Sequence, residues 1–191
     1  LIFQGNLNST SALDQVTNVE VITLLASSTT LVLKDTVVQT GANLNIDASS
    51  FEFGQLITLD ATGETDGHIS LTSGLGNDII SAGGGNDSFE TGGGNDQIAM
   101  GNNLTSEDLI DGGTGSDTLT FTDSNNAADD LDQVTNIETI ILSDATTTIT
   151  VVDSTVAADA RLHINATALT AGQVLTLDLS AETNGNYKIS S

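Results

Sequence analysis

Residues 73–99 read SGLGNDIIS, AGGGNDSFE and TGGGNDQIA, three nine-residue units in direct succession. Each unit closes a glycine-rich turn with an aspartate: Asp78, Asp87 and Asp96. Gly74 and Gly76, Gly83 and Gly85, and Gly92 and Gly94 precede them at constant offsets. A further unit, GGTGSDTLT (112–120), carries Gly113, Gly115 and Asp117. Tandem self-similarity at a fixed short period marks a repeat architecture. Glycine accepts positive φ without steric cost and leaves carbonyl oxygens open to approach. After each aspartate comes one large apolar residue (Ile80, Phe89, Ile98, Leu119), which suits a thin roll with one inward side chain per strand.

If each unit is half a coil, alternate turns stack on one edge. Asp78 then lies over Asp96, and Asp96 over Asp117, while Asp87 faces the other edge. Its partner is Asp108, in an irregular unit (100–111) with three extra residues, where Asn102 and Asn103 replace glycine. Stacked strands are about 4.8 Å apart. Carboxylates that close repel unless a cation lies between them. A cage of carboxylates and backbone carbonyls suits a hard cation with six to eight ligands, so Ca²⁺ before Mg²⁺. Cysteine is absent and the two histidines, His68 and His163, are far apart in sequence, which disfavours zinc and copper.

Residues 73–120 resemble the repeats-in-toxin (RTX) calcium-binding nonapeptide, G-G-x-G-x-D-x-U-x. The resemblance implies a right-handed parallel β-roll binding several Ca²⁺ ions between turns. The implied ligands are the glycine-turn backbone and the aspartates: Gly74, Gly76, Asp78, Gly83, Gly85, Asp87, Gly92, Gly94, Asp96, Asp108, Gly113, Gly115 and Asp117.

A longer repeat encloses this block. LDQVTNVEVITL (13–24) returns as LDQVTNIETIIL (131–142), and the offset of 118 holds without gaps to residue 191. Between 13 and 73, 26 of the 61 paired positions are identical, which identifies a duplication. The expected organisation is a flanking unit (1–73), a calcium block (74–118) and a second flanking unit (119–191). The flanks alternate apolar residues with Thr, Asn or Asp, as strands do, and no segment carries a long 3.6-residue period. The expected fold is all-β, a two-sheeted β-solenoid without significant helix. Ten strands per 118-residue unit are expected, an even number that returns each copy to the same sheet. The opening LIF falls inside a repeat strand, so a piece of a longer protein is expected.

Composition narrows the partners. The formal net charge is −23, with 3 basic against 26 acidic residues. That argues against nucleic acid and against insertion into anionic membranes. No apolar run reaches the length of a membrane span, and aromatic residues make up only 3%.

Other polar residues have competing readings. His68 and His163 do not correspond under the offset and read as surface-strand residues. Glu64 and Glu182 recur in an E-T-x-G turn, with Asp60 and Asp178 just before it. Either they cap that turn or they add calcium ligands. Asp66 is the weaker ligand candidate, since Asn184 replaces it. Asp123, Asp129, Asp130 and Asp132 read as a solvated acidic loop, and Asp14 and Asp132 as turn-fixing residues. No catalytic motif occurs, so no enzyme is expected.

The flanks look similar to segments found beside RTX repeats in bacterial S-layer proteins and giant adhesins. The expectation is an extracellular structural segment whose partners are other copies of itself or adjacent repeats of its parent chain. The alternative is the C-terminal calcium-binding secretion domain of a protease or lipase.

Overall fold

A computed structural model describes every residue except 5–12, 14, 26, 124–126, 144, 158–159 and 184. Asp14 therefore lies outside the described residues. The strands alternate between two parallel sheets. In one sheet Val21–Leu24, Asn43–Asp47, His68–Thr72, Ser88–Glu90, Leu109–Asp111 and Val134–Thr135 follow one another. In the other, Thr29–Lys34, Ile57–Gly63, Ile79–Ser81, Gln97–Gly101, Thr118–Phe121, Thr139–Leu142, Arg161–Asn165 and Asn186–Ser190 do so. From Val21 to Leu142 each sheet neighbour is reached by crossing one strand of the opposite sheet, and beyond it the crossing strands Thr147–Val152 and Leu175–Ala181 form a parallel pair of their own. The chain is thus a β-solenoid of about seven coils, without helix among the described residues.

Parallel pairing in register turns the nonapeptide spacing into columns of like residues. Ile80 lies beside Ile98, Ile98 beside Leu119, Leu119 beside Ile140 and Ile140 beside Ile164. On the facing sheet Leu71, Phe89, Ile110 and Val134 stack in the same way. All of these are buried. Burying a Leu, Ile or Phe side chain contributes roughly 1.5–3 kcal/mol, so the columns carry the coil-to-coil stacking.

The two kinds of segment differ in how much core they supply. Several flanking strands bury two or three apolar side chains, as Thr29–Lys34 does with Leu31 and Leu33 and Ile57–Gly63 with Ile57, Leu59 and Ala61. The three-residue strands of the calcium block bury one each: Ile80, Phe89 and Ile110. Coil length follows turn length. Leu31 meets Leu59 across long turns, whereas Ile80 meets Ile98 across tight glycine ones. The calcium block is therefore the narrowest part of the rod, with the least apolar core.

The strand count departs from the expectation of ten. From Val21–Leu24 to its duplicate Thr139–Leu142 the chain traverses eleven half-coils. The additional one is Val134–Thr135, in the L-D-Q-V-T-N segment that reads as a turn. Val134 pairs with Ile110 and is fully buried, so two residues suffice to complete a half-coil. An odd number puts equivalent strands on opposite sheets. Asn43–Asp47 and Arg161–Asn165 show this, as do His68–Thr72 and Asn186–Ser190. Successive copies are turned to opposite faces of the rod, about 26 Å apart along it at the usual strand spacing.

The acidic loop also differs from its expected solvated state. Asp129 and Asp132 are exposed, but Asp123 and Asp130 are buried. Asp123 Oδ2 accepts the Thr148 N–H at 3.0 Å, tying the loop to the next coil.

Candidate metal centre

The glycine turns fall on the two narrow edges where the chain passes between sheets, and the aspartates that close them form two rows. On one edge the Asp78 N–H donates to Asp96 Oδ1 at 2.7 Å. The Asp96 N–H donates to Asp117 Oδ1 at 2.8 Å, and the Asp117 N–H to Glu138 Oε2 at 2.8 Å. The row starts at Ile57, whose N–H donates to Asp78 Oδ1 at 2.7 Å. On the other edge the Ile69 N–H donates to Asp87 Oδ1 at 2.9 Å and the Asp87 N–H to Asp108 Oδ1 at 2.7 Å. The stacking expected from the spacing is present on both edges. All five aspartates are at most 2% exposed.

One oxygen of each carboxylate is thereby fixed by the backbone of the preceding coil. The second oxygens divide into two groups. Asp78 Oδ2 accepts from the Ser73 hydroxyl, and Asp108 Oδ2 from the Thr105 N–H at 2.8 Å. Asp87 Oδ2, Asp96 Oδ2 and Asp117 Oδ2 are buried with no hydrogen-bond partner. A buried carboxylate oxygen left unpaired is costly unless a proton or a cation meets it. Burial accordingly pushes Asp78 up to about 6 and Asp87 and Asp117 up to about 7, with neighbouring carboxylates adding to the rise. Burial raises Asp96 and Asp108 as well.

The glycines serve this geometry in two ways. Gly85, Gly92, Gly94, Gly113 and Gly115 have positive φ, whereas Gly74, Gly76 and Gly83 do not. Close stacking demands those three. A Cβ on Gly76 would lie 1.6 Å from the Gln55 carbonyl oxygen. Gly115 meets both constraints, with φ 146° and a Cβ position 1.5 Å from the Gly94 carbonyl oxygen. Gly93–Gly94 and Thr114–Gly115 even form a small parallel ladder of their own.

The irregular turn at 101–108 preserves the Asp87–Asp108 contact but fills its surroundings with protein. The Asn103 side-chain amide donates to the Gly83 carbonyl at 2.7 Å. Thr105 occupies the second oxygen of Asp108. Leu104, one of the inserted residues, is buried.

Several contributors escape the sequence reading. Asn77 Oδ1 accepts the Asn95 N–H at 2.8 Å, and Asn95 Oδ1 the Ser116 N–H at 2.9 Å, forming an amide ladder beside the aspartates. The Asn before the Asp in the three tandem nonapeptides, Asn77, Asn86 and Asn95, is its signal. His68 takes the same place on the other edge, its Nδ1 accepting the Asn86 N–H at 2.8 Å. His163 lies on the opposite sheet, its Nε2 3.0 Å from Ser190 Oγ. Glu138 extends the first row beyond the repeats. Of the two readings of the E-T-x-G turn, capping is realised. Glu64 Oε1 accepts from the N–H groups of Thr65, Asp66 and Gly67 at 2.9–3.2 Å. Glu182 Oε1 accepts from the Gly185 N–H at 2.6 Å. Asp60 and Asp178 likewise cap the residues two further on.

The donor set is all oxygen, buried and anionic, stacked at strand spacing. Among metal ions it suits a hard cation. The sequence model of the RTX calcium-binding nonapeptide repeat matches residues 70–98 and 105–126, in 4 copies. These residues are RTX calcium-binding repeats. The RTX repeats bind calcium, and several turns offer room for several ions. The break in the match between 98 and 105 coincides with the lengthened turn that Asn103 and Thr105 pack. About a quarter of the chain is covered, so the match describes the calcium block and not the flanks. No curated protein and no solved structure matches the chain.

Proposed function

We propose that the chain is an extracellular structural segment of a large self-assembling bacterial surface protein, held rigid by calcium. The observation that carries this reading is the set of unpartnered, buried carboxylate oxygens along a narrow rod with little core of its own. The proposed ligands are the aspartates Asp78, Asp87, Asp96 and Asp117, with the turn backbone at Gly74, Gly76, Gly85, Gly92, Gly94, Gly113 and Gly115, while Asp108 and the Gly83 carbonyl, already met by protein donors, shape the second row. The ion supplies positive charge between coils; the chain supplies the spacing and excludes water. Stability then follows free calcium, because an ion bound only to the folded state adds RT ln(1 + [L]/Kd).

Duplicated flanks of regular β-solenoid favour a stalk, filament or lattice element over a lone calcium domain. Ile2–Phe3 and Asn186–Ser190 each have a strand neighbour on one side only among the described residues. Leu1, Ile2 and Ile189 are exposed there. Unpaired edges of this kind accept a further coil, from the parent chain or from another copy. Circular dichroism with calcium and after EGTA tests the calcium dependence, and light scattering at high protein concentration tests the association. Loss of β-signal in EGTA and calcium-dependent growth in size are expected. An unchanged spectrum, or a strict monomer in calcium, would overturn the corresponding half of the proposal.

A further inference from the structure

The turn 64–69 sits one coil before the first turn of the second aspartate row and outside the matched repeats. It has the frame of a nonapeptide turn. Gly84 N–H donates to the Glu64 carbonyl at 2.9 Å, and a Cβ on Gly85 would collide with the Gly67 carbonyl. Ile69 N–H meets Asp87 as Asp87 N–H meets Asp108. The position that closes the turn is thus Ile69, which has no carboxylate. Glu64 brings one from the start of the turn.

Glu64 is 1% exposed. Its Oε1 is fixed by three backbone N–H groups, while its Oε2 is buried without a partner. Across the coil, Asp87 Oδ2 is likewise buried without a partner, and the Glu64 charge is felt at Asp87. Towards solvent, Asp35, Glu64 and Asp66 offer carboxylate oxygens within 4.8 Å of one another. Asp35 is held by Thr65, whose N–H donates to its Oδ1 at 3.1 Å, and Asp66 by the Thr40 hydroxyl at 3.0 Å. One coil further along the same edge the situation is reversed. Both oxygens of Asp108 and the Gly83 carbonyl already have protein donors.

We infer that Glu64, with Asp87 and the rim carboxylates Asp35 and Asp66, forms a divalent-cation site for Ca²⁺ that begins one coil before the nonapeptide repeats. On this edge the ion lies on the Glu64 side of Asp87 rather than between Asp87 and Asp108. The flanking unit is therefore coupled to the RTX block by a shared ion, and Glu64 both shapes the turn and ligates. The inference rests on the neighbouring repeats binding calcium.

Calcium titration of the whole chain by calorimetry, with the ion count checked by native mass spectrometry, tests it. Glu64→Gln keeps the oxygen that accepts the three N–H groups and replaces only the unpartnered one. It is expected to bind one calcium fewer than the unaltered chain, with the remaining ions retained. Asp66→Asn changes an exposed residue and is expected to weaken one ion of the set without abolishing it, which covers the case in which Glu64→Gln fails to fold. Ion counts and affinities unchanged in both variants would overturn the site. An unaltered chain that binds no calcium at all would instead sink the proposed function.

Discussion

Withdrawing calcium should make the fold depend on acidity in the sense opposite to most proteins. Asp78 rises to about 6 and Asp87 and Asp117 to about 7 through burial, from 3.8. The folded state then holds protons that the unfolded chain has released, so stability falls as pH rises. The contribution is fully present below about 3.8 and is lost progressively up to about 7. A shift of one unit corresponds to about 1.4 kcal/mol, so each of these carboxylates accounts for roughly 3–4 kcal/mol if nothing relaxes. Water entering the turns screens part of this, and halving it is a fair discount. The three together still remove on the order of 5 kcal/mol by pH 8, the lower end of a typical domain's whole stability. The assay is far-ultraviolet circular dichroism with thermal melting in EGTA between pH 8 and pH 5. The chelated protein should gain β-signal and melting temperature on acidification, and saturating calcium should flatten the profile. A chelated protein that melts at one temperature from pH 5 to pH 8 would refute the reasoning, because the aspartates would then not be buried as charges.

Asp96→Ala removes an unpartnered oxygen and also orphans the Asp78 N–H; a loss of about 1–3 kcal/mol and a higher calcium midpoint are expected, read by calcium titration followed by dichroism. Gly115→Ala places a methyl 1.5 Å from a carbonyl at a φ reserved for glycine. It should cost roughly 3 kcal/mol and reduce the calcium count, measured by denaturant unfolding in calcium. Phe89→Ala empties the middle of one apolar column and should cost about 3–5 kcal/mol in both calcium and EGTA, since it acts through the core and not the edges.

Much of this was legible in the sequence because the nine-residue period does two things at once. It fixes which residues face inward and which turn receives the aspartate, so Ile80 over Ile98 and Asp78 over Asp96 could be paired without coordinates. Parallel in-register stacking leaves no freedom once the coil length is known. The coil length is what sequence reading lost in the flanks. Val134–Thr135 is too short to show alternation, and missing it changed the parity of the repeat and the face each copy presents. The burial of Asp123 and Asp130 is not visible in an acidic run read as a loop, because partners such as the Thr148 N–H that meets Asp123 come from the next coil. The Asn ladder depends on contacts between turns about 20 residues apart, and the extension of the rows to Glu64 and Glu138 joins the repeats to units that do not share their motif.

A crystal structure grown in calcium, with an anomalous difference map, tests the central claim most directly. Peaks are expected in the turns about 2.3–2.6 Å from the second oxygens of Asp96 and Asp117, as calcium–oxygen bonds require. Featureless anomalous density there, with those carboxylates swung outward to water, would contradict it.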